Sequence, residues 1–264
     1  PVALEFDGNK YRQASAHQKE WGARLIDELE LRGAERILDL GCGDGVLTAR
    51  LADLVPRGSV LGIDASAGMI EAAREHCKAN LAFERKDIDD IDFANEFDVV
   101  FSNATLHWVK DHRHLLANVV QALRGGGVAR FNFAGDGNCG HFVAVVREVM
   151  AREVFAKLFR RFAWPWYMPP VADYERLVAE CGFAEARVWG ENADRHFADA
   201  AAMVAWIDQP SIVPFLAHLP EALRQEFRDA VVDGMIAASR QADGRCFETF
   251  RRVNLVARKA VSRT

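Results

Sequence analysis

The sequence predicts an α/β fold: a mostly parallel sheet with helices on both faces. Three observations predict it. Short apolar runs alternate with helical patterns at βαβ spacing from residue 36 to about residue 133. A glycine-rich turn, Gly41-Cys42-Gly43-Asp44-Gly45, closes the first of these runs and opens a helix. Half the 264 residues are hydrophobic and 27% are charged, so apolar side chain suffices for a large core.

The elements follow in order. Residues 16–33 carry Trp21, Leu25, Ile26 and Leu29 at helical spacing, and Gly33 suits the end of that helix. Arg36–Leu40 reads as a strand. Val46–Leu54 reads as a helix with Val46, Leu47, Leu51 and Leu54 on one face. Pro56-Arg57-Gly58 turns the chain into a second strand, Ser59–Ile63, ending at Asp64. Ser66 can cap the next helix, which is expected to run to about Ala79. Leu81–Glu84 and Phe97–Ser102 are the third and fourth strands. A helix spans Asp111–Leu123, Gly125-Gly126-Gly127 is a break, and Val128–Phe133 is the fifth strand.

Past residue 135 the rhythm changes. Residues 141–162 read as one long helix with a stripe of Phe142, Val145, Val149, Val154, Leu158 and Phe162. An aromatic, proline-rich segment, Trp164–Pro170, follows. Residues 172–181 are a short helix, 183–190 a strand, 199–207 and 220–239 helices, and 247–259 a final strand. One domain over 1–264 is expected, with its core in about 34–135, 172–191 and 246–259. The pieces at about 1–30, 136–170 and 199–240 are expected to form a cap.

Composition excludes several classes. A net charge of −5 argues against a nucleic-acid partner, because a chain that neutralises many phosphates should be basic. No run approaches the ~20 apolar residues of a membrane span, so no membrane partner is expected. The five cysteines, Cys42, Cys77, Cys139, Cys181 and Cys246, are scattered, with no CxxC pair. They read as free thiols of a reducing compartment, by default the cytoplasm, and no metal is expected. Composition does not fix the oligomeric state.

The glycine turn and Asp64 carry the strongest functional signal. Glycines allow positive φ and close approach of a ligand to the backbone, and the helix behind them offers unpaired N–H groups. The spacing is G-x-G-x-G, not the dinucleotide G-x-G-x-x-G. Asp64 lies 23 residues after Gly41, where a carboxylate can accept from two ribose hydroxyls. The pair indicates a ribose-bearing cofactor. In such sheets the ligand sits at the carboxyl ends of the strands, which selects loops 41–45, 64–69, 86–91 and 103–110.

On these residues the sequence resembles the class I S-adenosylmethionine-dependent methyltransferases. LDLGCGDG (38–45), GIDAS (62–66), KDIDD (86–90), FDVVFSNATLHWV (97–109) and LRGGGVARFNF (123–133) are similar to that family's successive motifs. FSNATLHWVKDH (101–112), PPVADYERLVAECGF (169–183) and DGRCFETFRRVNLVARK (243–259) resemble the trans-aconitate methyltransferase subgroup. The resemblance implies a Rossmann-like, seven-stranded sheet and S-adenosyl-L-methionine as cofactor. It implies that Gly41 and Gly43, with Cys42 between them, pass along the methionine moiety, and that Asp39 receives its ammonium. Asp64 would hold the ribose, Ala65 and Met69 would line the adenine, Asp87 would accept from its amino group, and Ile88 would stack beside it. Asn103 would lie near the methionine end, with Tyr11 and Gln18 in a segment closing over the cofactor. The subgroup implies an acidic–Arg pair where this chain has Ala16-His17-Gln18-Lys19.

The acceptor side is read from residue chemistry. His107, just past the fourth strand, is a candidate base or substrate contact. Trp21, Trp108, Trp164, Trp166 and Tyr167 are candidates for an apolar acceptor pocket, with His17 and His141 reaching toward it. Arg160-Arg161 and Arg251-Arg252 are candidates to hold an anion. His112 and His114 are expected on a solvated surface, since residues two apart do not share a helix face. The expected reaction is methyl transfer to a small molecule, first a carboxylic acid oxygen and otherwise a hydroxyl or carbon of a natural product. A nucleic-acid methyltransferase and a non-catalytic cofactor-binding protein are weaker alternatives. A short-chain NAD(P) oxidoreductase lacks its Tyr-x-x-x-Lys, because no tyrosine here has a lysine four residues on.

Overall fold

The structure, a computed structural model, describes residues 16–261. They divide into two compact units. One comprises residues up to 136, 166–191 and those from 252 onward; the other comprises 137–165 and 192–251.

The first unit is built on a seven-stranded sheet. Its strands are β1 (Arg36–Leu40), β2 (Ser59–Asp64), β3 (Leu81–Arg85), β4 (Phe97–Asn103), β5 (Leu123–Ala134), β6 (Glu185–Asn192) and β9 (Arg251–Arg258), in the order β3-β2-β1-β4-β5-β9-β6. β1 to β5 pair in parallel, and β9 runs antiparallel to β5. The order reverses between β1 and β4, which is where a ligand crevice is expected at the carboxyl edge.

Helices α1 (Ala16–Asp27) and α2 (Val46–Leu54) share one apolar core with Ile37, Val99 and Phe101. Helices α4 (His112–Ala122) and α7 (Val171–Ala179) share the other with Leu38, Leu40 and Val100. The period of two in β1 thus sends Leu38 and Leu40 to one face, and Ile37 and Asp39 to the other. Helix α3 (Ala67–Ala73) is capped by Ser66, whose hydroxyl accepts from the Met69 amide at 3.3 Å.

Several boundaries differ from the sequence reading. Helix α1 ends at Asp27, and Gly33 instead serves a turn at φ +92°, its carbonyl accepting from the Arg57 amide at 2.9 Å. Helix α3 stops at Ala73, because Lys78 bridges to Leu81 and turns the chain into β3. The triple glycine lies inside β5, where Gly126 at φ +82° accompanies a register shift against β4. The single strand read over 247–259 is two, β8 (Cys246–Glu248) and β9, with buried Phe250 between them.

The second unit contains α5 (Gly140–Met150), α6 (Glu153–Ala156), α8 (Ala200–Trp206), α9 (Val213–His218), α10 (Glu221–Ser239), β7 (Arg195–Phe197) and β8, the last two paired antiparallel. The long helix expected over 141–162 breaks at Arg152, whose backbone is extended. Beyond the break the inward positions move by one residue. Phe155 and Phe159 are buried against Phe227, and Val154 and Leu158 face solvent. Gly234 lets α10 approach α5 closely, since a Cβ there would lie 2.7 Å from Val145. Among the described residues, no helix is long and apolar enough to cross a membrane, and no group of His, Cys, Asp and Glu could hold a metal ion.

Candidate active site

The loops at the carboxyl edge of the sheet are tied to one another. The amides of Gly41 and Cys42 both donate to the Ile63 carbonyl, at 2.8 and 2.9 Å, and hang the glycine turn on the end of β2. Gly41, Gly43 and Gly45 all have positive φ. A Cβ on Gly41 would lie 2.1 Å from Thr105 Cγ2, and the Thr105 hydroxyl donates to the Gly41 carbonyl at 3.1 Å. Glycine here is therefore demanded by backbone conformation and by the loop after β4 alike.

Asp64 joins the glycine turn to the loop after β2. Its Oδ2 accepts from the Gly43 amide at 3.0 Å and its Oδ1 from the Ser66 amide at 2.9 Å. The Lys86 amide donates to the Asp64 carbonyl at 3.1 Å, which brings the exit of β3 alongside. There Asp87 accepts from the Asp89 amide at 3.1 Å, next to buried Ile88. Met69 is buried, and the Ala65 carbonyl accepts from Arg85. Cys42 is buried as well, and burial pushes its thiol well above the usual range.

Asp39 lies beneath the turn, 3% exposed, with the Thr48 hydroxyl donating to its Oδ2 at 2.7 Å. Burial, supplemented by the charge of Asp64, raises its carboxyl to about 7 against the opposing Thr48 bond. Lys19 of α1 pairs with Asp44 of the turn at 2.7 Å.

On the β4 side, Ala104 holds a left-handed φ of +57° and its amide donates to the Asn132 carbonyl at 2.7 Å. Such strain in a non-glycine residue is commonest where a site over-determines the backbone. Asn103 ends β4 directly opposite Asn132 of β5. The one-turn helix Leu106–Trp108 follows, carrying His107. Trp108 and Trp166 meet edge-on with centroids 5.8 Å apart, and the Tyr167 amide donates to the His107 carbonyl at 2.8 Å. Nδ1 of His107 is buried and has no hydrogen-bond partner among the described residues. Burial, the charge of Arg252 and then His112 hold this imidazole well below the usual range, hence neutral.

His112 is not on the surface, as the sequence reading expected. It is buried, with Nδ1 3.0 Å from the Tyr174 hydroxyl and Nε2 2.9 Å from the Leu106 carbonyl, and burial lowers it to about 4.

The structure brings together Asp39, Gly41, Cys42, Gly43, Asp64, Ala65, Met69, Asp87, Ile88, Asn103 and His107 around the carboxyl edge. Trp21, Trp108, Trp166 and Tyr167 belong to the same unit. Trp164 and His141 belong to the second unit, where Trp164 lies beneath Arg147 and against Phe215. His141 Nδ1 is 3.1 Å from fully buried Glu248, which also accepts from the His141 and Phe142 amides at the start of α5. Arg160 and Arg161 are exposed. Tyr11 and the side chains of His17 and Gln18 lie outside the described residues.

Sequence reasoning missed Thr48, Thr105 and Lys19, and also Arg130, Asn132 and Asn254 of a buried polar row that includes Asn103 and Arg252. The row had a signal: in Arg130-Phe-Asn132-Phe and Arg252-Val-Asn254-Leu, polar residues alternate with apolar ones in strands that are otherwise core.

Residues 37–127 match the methyltransferase domain family. A trans-aconitate 2-methyltransferase of Mycolicibacterium gilvum is 33% identical over 89% of this chain and 91% of its own length. One from Deinococcus radiodurans is 33% identical over 84% and 86%. The chain belongs to the S-adenosylmethionine-dependent methyltransferases. Solved structures share the fold. Phosphoethanolamine N-methyltransferase 2 of Haemonchus contortus superposes with a TM-score of 0.61 at 20% identity over 96% of this chain, which spans 57% of that longer one. A geranyl diphosphate methyltransferase superposes with a TM-score of 0.53 at 15% identity, covering 92% of this chain and 78% of that one.

S-adenosyl-L-methionine is the cofactor, and the donor set fits it. Carboxylates at the exits of β1, β2 and β3 suit an ammonium, ribose hydroxyls and an adenine amino group in turn, and the positive-φ turn lets a ligand lie close to the backbone.

Proposed function

We propose that this methyltransferase transfers a methyl group to the carboxylate oxygen of a small-molecule acid. The observation that carries the reading is the burial of His107, whose Nδ1 has no hydrogen-bond partner among the described residues, within the field of the cationic Arg252. Bound at the carboxyl edge, the cofactor supplies a methyl carbon made electrophilic by its sulfonium. A phenol or carbon acceptor must lose a proton, and a good base has a pKa near the working pH. His107 is the obvious candidate, but burial and a neighbouring cation suppress its basicity. A carboxylate is already ionised at pH 7 and needs no base. The same cation that weakens a base favours an anionic acceptor. His107 then serves as a neutral contact that positions the acid. The relatives named for trans-aconitate methylation support a carboxylate acceptor.

Asp64 holds the ribose in this account, Asp39 the ammonium and Asp87 the adenine amino group. The five free cysteines suit a reducing cytoplasm. The test compares matched acids and phenols at saturating methyl donor. Acids should turn over with kcat flat between pH 6 and pH 8, and His107→Ala should retain esterification. Turnover of phenols alone, rising with pH and abolished in His107→Ala, would refute the reading.

A further inference from the structure

Two residues of the subgroup-like motifs have no part in the reading above: His112, which ends FSNATLHWVKDH (101–112), and Tyr174, within PPVADYERLVAECGF (169–183). They meet in the core of the first unit, both buried. Nδ1 of His112 lies 3.0 Å from the Tyr174 hydroxyl, and Nε2 lies 2.9 Å from the Leu106 carbonyl. Burial keeps the imidazole neutral, so one of its nitrogens carries the proton. The Leu106 carbonyl can only accept, which puts that proton on Nε2. Nδ1 therefore accepts, and the Tyr174 hydroxyl, which burial keeps protonated, donates to it.

This relay ends on the loop that carries His107. The Leu106 carbonyl already accepts from the Val109 amide at 3.0 Å, the bond that closes the one-turn helix Leu106–Trp108. The bond from His112 is a second one on the same oxygen, so it orients the turn beyond merely satisfying it. Two more ties join this loop to the segment leading into α7. The Tyr167 amide donates to the His107 carbonyl at 2.8 Å, and Trp166 meets Trp108 edge-on. The Tyr167 ring also lies against His112, with centroids 4.6 Å apart. Replacing His112 and Tyr174 together by apolar groups of the same shape would cost such a core little, so packing alone does not call for a polar pair here.

We propose that His112 and Tyr174 are positioning residues: through the Leu106 carbonyl they set the one-turn helix, and hence the place where His107 meets the acceptor. This rests on the contact between His107 and the acceptor proposed above, and it holds for an acid or a phenol alike. Loss of the relay is felt by the acceptor. The cofactor is held from other strands, by the carboxylates at the exits of β1, β2 and β3.

The experiment uses the whole enzyme, with trans-aconitate, benzoate and phenol as acceptor probes. Tyr174→Phe keeps the ring and removes only the hydroxyl. It should raise the acceptor KM about 3- to 10-fold, the effect of one hydrogen bond, and leave the Kd for S-adenosylhomocysteine unchanged. The same substitution in a His107→Ala background should add nothing further. His112→Gln, whose side-chain amide can still donate to the Leu106 carbonyl, should keep more of the acceptor affinity than His112→Leu. With no acceptor present, nitrogen-15 spectra of the imidazoles in the wild type should place the His112 proton on Nε2. Tyr174→Phe should shift the ring signals of His107, identified by their loss in His107→Ala, and leave those of His76 in place. Additive losses in the double variant, an unchanged acceptor KM, a His112 proton on Nδ1, or unmoved His107 signals in folded Tyr174→Phe overturn the relay and leave the carboxylate reading standing. Turnover of phenol with neither acid overturns the carboxylate reading, and the relay then stands or falls by the spectra.

Discussion

Replacing Asp64 tests the cofactor cradle. Its carboxylate does two jobs in the structure: it accepts from Gly43 and Ser66, fixing two loops, and it presents an ionised acceptor at the exit of β2. Hydrogen bonds to a charged group contribute about 1.5–3 kcal/mol. Asp64→Ala should therefore weaken S-adenosylhomocysteine binding by about 10- to 150-fold. The charge of Asp64 also helps raise Asp39. Asp64→Asn, which removes the charge and turns an NH2 that cannot accept toward one of the two amides, should also weaken binding and move the Asp39 carboxyl down from about 7. Calorimetric titration over pH 5.5–8.5 reads both effects, with circular dichroism to confirm that the sheet persists. A Kd within threefold of wild type in a folded Asp64→Ala variant would refute the assignment, whatever the fate of the pH profile.

Three further outcomes follow from the same geometry. Because Asp39 sits at about 7 and an ammonium favours its ionised form, binding of S-adenosylhomocysteine at pH 7 should release about half a proton. Titration in buffers of different ionisation heat measures it, and equal release in Asp39→Asn would exclude this group. Gly41→Ala combines a φ of +72° with a Cβ 2.1 Å from Thr105, so it should cost ~3 kcal/mol or more and abolish cofactor binding. Gly244→Ala meets nothing within 4 Å and should cost only ~1 kcal/mol; similar melting temperatures for the two would contradict the packing argument. His112 is lowered to about 4 when folded, so the unfolded chain takes up its proton first. The neutral form's contribution is complete above pH 6.5 and is lost as the pH falls toward 4, by about 3 kcal/mol. Urea midpoints against pH should show that slope in the wild type and lose it in His112→Gln.

Much of the sheet was legible because its buried strands are short apolar runs punctuated by Gly, Pro and Asp. Arg36–Leu40 and Val46–Leu54 have the bounds the pattern predicts. The glycine turn and Asp64 were legible because local backbone needs fix both. What stayed hidden depends on tertiary neighbours. His112 looks like a surface residue beside Arg113 and His114, and only the approach of α7, with Tyr174, buries it. The sequence offers Arg251 and Arg252 alike as candidates to hold an anion, and only the antiparallel insertion of β9 beside β5, which buries Arg252, tells them apart. The helical stripe past Met150 misled because periodicity cannot register an extended residue at 152, which turned Phe155 and Phe159 inward in place of Val154 and Leu158.

The central claim is the nature of the bond formed, and one measurement addresses it directly. The enzyme is incubated with methyl-labelled S-adenosylmethionine and a panel of acids, phenols and carbon acceptors, and the labelled product is treated with mild base. A methyl ester hydrolyses and releases its label as volatile methanol, whereas an aryl ether or a C-methyl group retains it. The account predicts base-labile label, confined to the acids. Label that survives base, on a phenol or a carbon acceptor, would contradict it.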